Sequence, residues 1–86
     1  MKYIPNPTPG ESIKEEFMKP LNTSAHQIAK ESGIPSSTIQ DILDNRCSIT
    51  IDTSIRLGRL FNISDQYFLN LQNDFDIRNT KKKANS

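Results

Sequence analysis

The chain has no tryptophan, one cysteine, one histidine and three glycines in 86 residues. Each shortage closes off a kind of chemistry. A single cysteine, Cys47, makes no internal disulfide, and with one histidine, His26, it cannot complete a structural zinc site. A nucleophile–histidine pair would have to recruit His26, and no motif surrounds it. Three scattered glycines build no phosphate-cradling loop. Acidic pairs such as Asp41 and Asp44 lack the company a metal nuclease needs. No apolar run reaches the length of a membrane span, and no secretory leader is recognisable. No catalysis, cofactor, metal or membrane partner is therefore expected. A lone thiol suits a reducing cytoplasm.

Charge of one sign is scarce too. Eleven basic and ten acidic residues leave a net charge of +1. That total is small for a nucleic-acid binder, although such footprints depend on local clusters of Lys and Arg. The length allows one domain, which buries only about 60–65% of its unfolded surface. With 34% hydrophobic residues, dimerisation is an expected remedy for a marginal core. Composition divides the chain into a Pro-rich arm, 1–8, a domain, 9–78, and a basic flexible tail, 79–86, which contains Lys81-Lys82-Lys83.

What the chain does have is concentrated in residues 24–43. Ser24 suits a helix cap, and Gln27 three residues later completes a capping box. Ile28 and Ala29 supply an inner face. Gly33 stands where a helix end needs positive φ, Ile34 plugs the turn, and Pro35 suits the entry to a second helix. Ile39, Ile42 and Leu43 then repeat at helical spacing. Ser36, Ser37, Thr38, Gln40 and Asp41 occupy the opposite face. Two short helices joined by a tight glycine turn are the sequence form of a helix-turn-helix, whose second helix enters the DNA major groove. A plain helical hairpin with a solvated face would share this pattern.

The flanks supply three more helices and no strand. Pro9-Gly10-Glu11 opens a first helix with Ile13, Phe17 and Met18 inside, stopped by Pro20. Asn45 suits a left-handed helix end. Thr50 or Asp52 caps a fourth helix carrying Ser54, Leu57, Gly58 and Phe61 on one face, and Asn62 is its terminator. Ser64 caps a last helix with Tyr67, Phe68, Leu71 and Phe75. The fold class expected is all-α, with five helices. Phe68, Leu71 and Phe75 form a stripe at i, i+3 and i+7 that is the expected homodimer interface. A two-fold dimer would set its recognition helices about 34 Å apart, one turn of DNA.

The chain resembles the HigA/VapI-type antitoxins within the lambda-repressor-like (XRE) helix-turn-helix class. The match is carried by Pro9-Gly10-Glu11, Glu15-Glu16-Phe17, Lys19-Pro20-Leu21, Gly33-Ile34-Pro35, Ile42-Leu43, Arg46, Ile49-Thr50, Thr53, Arg56-Leu57, Phe61, Leu69-Asn70-Leu71-Gln72 and Asp76. It spans roughly residues 9–78. The resemblance implies a five-helix lambda-repressor-like DNA-binding domain in a dimeric bacterial cytoplasmic protein. Such a protein binds double-stranded operator DNA upstream of its own operon. It also neutralises a HigB-like toxin, typically a ribosome-dependent mRNA endonuclease. Two positions depart from the pattern: Ala25 stands where many relatives have a phosphate-contacting Gln, and Phe68 where they often have Trp.

Within that frame Gln40 is the base reader, since its carboxamide pairs bidentately with adenine. Ser36 and Ser37 bond bases or phosphates, and Thr38 offers a methyl to thymine. Ser24 and the amides beside it meet a phosphate in place of the missing Gln. Arg46, just after the recognition helix, is the further phosphate contact. Arg56 and Arg59 lie on the next helix, where a solvated face is the alternative. Glu11, Glu15 and Glu16 offer a counter-surface to a basic RNase. The alternatives are a free-standing XRE-type repressor and a helical adaptor that binds protein only.

Overall fold

The computed structural model describes residues 7–84, and of 82–84 the backbone alone. Residues 1–6 of the expected arm and the last two of the expected tail lie outside that range. Among the described residues there are five helices and no strand. α1 begins as Pro9–Ile13, widens into a π-helical turn at Lys14–Met18, and closes with Lys19–Leu21. α2 is Ala25–Ser32, α3 Ser36–Leu43, α4 Ile51–Phe61 and α5 Tyr67–Ala84. The last helix thus continues beyond Arg78 to Ala84, within the segment expected to be a tail.

The helix ends follow one rule. The first four helices are each closed by a residue in the left-handed region, Asn22, Gly33 and Asn62 at the cap itself and Asn45 one residue past the Asp44 cap of α3, with φ of 51°, 79°, 58° and 61°. At each asparagine two backbone bonds close the end. At α4 they run from Asn62 N–H to Arg59 O and from Ile63 N–H to Gly58 O, the Schellman pattern. Asn22 corrects the expectation that Pro20 ends α1. The chain passes Pro20 and terminates only where Asn22 turns left-handed, with Thr23 N–H bonded to Met18 O at 3.0 Å. The π turn just before the proline has Lys19 N–H bonded to Lys14 O, five residues back. Such a wide turn accommodates a ring that would press on the carbonyl four residues back and a nitrogen with no hydrogen to give.

The starts are capped by hydroxyls. Thr8, Ser24 and Thr50 accept from Glu11, Gln27 and Thr53 N–H groups. The expected capping box at Ser24 is half made: Gln27 N–H donates to Ser24 Oγ, while the Gln27 side chain turns toward Glu31, its Nε2 donating to Oε1 at 2.6 Å. Ser64 sits ahead of α5 rather than at its cap, and its hydroxyl accepts from Gln66 N–H.

The core is Ile13, Ile28, Ile34, Ile39, Ile42, Leu43, Ile49, Leu57 and Phe68. Beside it Phe17, Phe61, Tyr67 and Phe68 form an aromatic cluster that ties α1 to α4 and α5. The Phe17 ring centroid lies 4.7 Å from that of Phe61 and 5.2 Å from that of Phe68. Ser54, 1% exposed, joins α4 to α5: its hydroxyl donates to Asp65 O at 2.6 Å and accepts from Leu69 N–H at 2.9 Å. Phe68 is 0% exposed. Its surface is used up within the subunit, which corrects its placement at a dimer interface. Leu71 and Phe75 remain half-buried.

Candidate nucleic-acid interface

α2 and α3 pack across a turn of Gly33, Ile34 and Pro35. Gly33 takes the positive φ, and a side chain there would also approach the Arg56 Nη1 at 3.1 Å. Ile34 is buried at 5% and anchors the turn. Pro35 supplies the extended residue before α3, with φ of −56° and ψ of 139°. Arg56 is engaged within the fold: its Nη1 donates to Ser32 O at 3.4 Å and its Nε to Asp52 at 2.9 Å. A cation at the last carbonyls of α2 favours that helix end.

This frame fixes which face of α3 is outside. Ile39, Ile42 and Leu43 are buried, whereas Ser36, Ser37 and Gln40 are exposed and Thr38 is half-buried. α1 holds the far end of α3, because Gly10 lies against the carbonyls of Ile42 and Leu43. Arg46 is exposed directly after α3, its N–H bonded to Asp41 O at 2.8 Å. Ser24 is exposed at the start of α2, its hydroxyl accepting from Gln27 N–H at 3.2 Å. Ala25 is half-buried and packs against the core.

Two features of this surface are absent from the sequence reading. Gln40 Nε2 donates to both carboxylate oxygens of Asp44, at 3.2 and 3.3 Å, so the base-reading candidate is already oriented. The i, i+4 spacing is the signal that would have found it. Cys47 also lies close enough to Asp41 to respond to it. Burial, reinforced by that carboxylate's charge, pushes the thiol pKa up and favours its neutral form. His26 is exposed. Among the described residues no three His, Cys, Asp or Glu side chains converge as a metal site. None of the described helices is long and apolar enough to cross a membrane.

Comparison with known proteins agrees with this geometry. No protein-family model matches the chain. Virulence-associated protein I of Dichelobacter nodosus is 37% identical over 78 residues, which cover 91% of this chain and 72% of that one. An addiction-module antidote protein of the HigA family from Coxiella burnetii superimposes with a TM-score of 0.86 at 36% identity, covering 95% and 89% of the two chains. Pseudomonas aeruginosa antitoxin HigA, solved with the higBA promoter, gives 0.85 at 29% identity, covering 92% and 86%. Fold and site together define a lambda-repressor-like helix-turn-helix protein. Within that class the chain belongs to the HigA/VapI family of antitoxins.

Proposed function

We propose that this protein is the antitoxin of a type II toxin–antitoxin pair: it represses its own operon through α3 and binds and neutralises a HigB-like mRNA-cleaving toxin. The observation that carries the reading is the exposed polar face of α3, held between α2 and the N-terminus of α1 as a groove-reading helix requires. The HigA of Pseudomonas aeruginosa, similar over nearly the whole chain, was solved with promoter DNA.

In this proposal Gln40 reads a base, Ser36, Ser37 and Thr38 contact base edges or phosphates, and Ser24 and Arg46 hold the backbone. Two copies pair through Leu71 and Phe75. The working unit is 9–78, between an arm at 1–8 and the basic residues of 79–86, and it acts as a non-enzymatic protein in the cytoplasm.

The test is co-expression of the tagged chain with the product of the adjacent small gene, together with binding to its own upstream DNA. A stable complex that restores growth to cells poisoned by that product supports the antitoxin role. Specific binding to upstream DNA without any complex leaves a free-standing repressor. A complex without DNA binding leaves an adaptor.

A further inference from the structure

One buried polar side chain has no part in the site as described. Gln72 on α5 is 7% exposed, and its two amide atoms have different partners. Oε1 accepts from the Ile49 backbone N–H at 2.9 Å, and Nε2 donates to Asp76 Oδ1 at 3.0 Å. A carboxamide is suited to this place because it accepts at one atom and donates at the other. Ile49, 3% exposed, lies in the segment that joins α3 to α4 and carries Arg46.

That segment is held at both ends and in the middle. Arg46 N–H bonds Asp41 O at its start, and Thr50 caps α4 at its end. Between them Ile49 holds it twice, by its side chain in the core and by its backbone bond to Gln72, which crosses 23 positions of sequence. Without it the Ile49 N–H would be a buried donor lacking a partner, and the segment would have to move to satisfy it.

We infer that Gln72 is a positioning residue for DNA binding. It sets the 45–50 segment, and with it Arg46 and the N-terminus of α4, at the height where a phosphate backbone passes. Asp76 aims the carboxamide by holding its Nε2, so that Oε1 meets Ile49. α5 thereby supports the DNA-facing surface directly, in addition to presenting Leu71 and Phe75. The inference rests on the DNA-binding reading of α3.

The pair can be exchanged in sense. Gln72→Glu alone sets two carboxylates side by side. Combined with Asp76→Asn, it restores one donor and one acceptor, and position 72 still accepts from Ile49. The experiment measures affinity of the full chain for its own upstream DNA as a function of salt, with thermal unfolding recorded alongside. The variants are Gln72→Met, Gln72→Glu, and Gln72→Glu with Asp76→Asn.

Gln72→Met, assayed well below its Tm, should bind on the order of tenfold more weakly, with the slope of log affinity against log salt reduced by about 0.9, the contribution of one phosphate. The double variant should recover the affinity and slope that Gln72→Glu loses. A lowered Tm with an unchanged slope, or a folded double variant that recovers nothing, overturns the inference. Absence of salt-dependent binding by the unaltered protein would overturn the DNA reading and this inference with it.

Discussion

Gly10 rests on the carbonyl oxygen of Leu43, so the first turn of α1 sits on the last turn of α3. A Cβ on Gly10 would collide with that oxygen and lie 2.7 Å from the carbonyl oxygen of Ile42. Both obstacles are backbone and cannot rotate away. Gly10→Ala should therefore push α1 off the recognition helix and cost about 1–3 kcal/mol, the range of an overpacked contact. Urea unfolding of the two proteins measures it; equal midpoints would mean that the two helices do not meet this closely.

In the proposed interface Gln40 on α3 is a base reader and Arg46, just after that helix, a phosphate anchor. Gln40→Ala should relax sequence preference by about 1–3 kcal/mol at one base pair while leaving general DNA affinity in place. Arg46→Ala should weaken binding to all sequences and lower the salt slope by about 1. Titration against upstream DNA and a scrambled duplex separates them. Unchanged preference in Gln40→Ala would rule out this register for the recognition helix.

The aromatic residues of α5 have different tasks. Phe68 is fully buried, so Phe68→Ala should destabilise the subunit itself by about 3–5 kcal/mol. Phe75 is half-buried at the surface, so Phe75→Asp should leave the fold intact and shift the protein toward monomer in sedimentation. A Phe75→Asp protein that still sediments as a dimer would move the interface elsewhere.

Tyr67 Oη donates to Glu16 Oε2 at 2.7 Å, joining α5 to α1. Its pKa is pushed up to about 12 from 10.0, first by burial, then by this hydrogen bond and the charge of Glu16. Because the folded value is the higher one, the contribution to stability is fully present below pH 10.0 and is lost as pH rises through about 12. In a Tyr3→Phe background the ultraviolet phenolate signal should rise near pH 12, and Glu16→Gln should bring it lower. A titration that ignores Glu16→Gln would show that the pair does not form in solution.

Asn62 terminates α4 at a φ of 58°. Asn62→Gly should be tolerated, because glycine adopts that conformation without cost from a Cβ. Asn62→Val should cost about 1–2 kcal/mol, the penalty for a left-handed L-residue. Thermal unfolding that ranks the valine variant with the glycine one would contradict the left-handed end.

Much of this architecture was legible in the linear sequence because the signals are local. Gly33, Asn45 and Asn62 announce helix ends through backbone freedom alone. Ile39, Ile42 and Leu43 announce the buried side of α3 by their spacing, and therefore its open side. The errors arose where two local signals competed. Pro20 reads as a helix stop, yet the π turn before it carries the chain on to Asn22. Gln27 reads as the partner of Ser24, yet Glu31, one turn on, takes its amide. Phe68, Leu71 and Phe75 share a stripe, but spacing cannot say which member the other helices cover.

The sequence by itself determined the five helices, the glycine turn between α2 and α3, and the polar face between their apolar residues, since these depend on spacing and on φ preferences within a few residues. Tertiary structure alone decided what depends on pairs far apart in the chain: Gly10 on Leu43, Tyr67 on Glu16, Gln72 on Ile49, and the complete burial of Phe68. Such partners are chosen by how the helices fill space around one core, and no local preference encodes that choice.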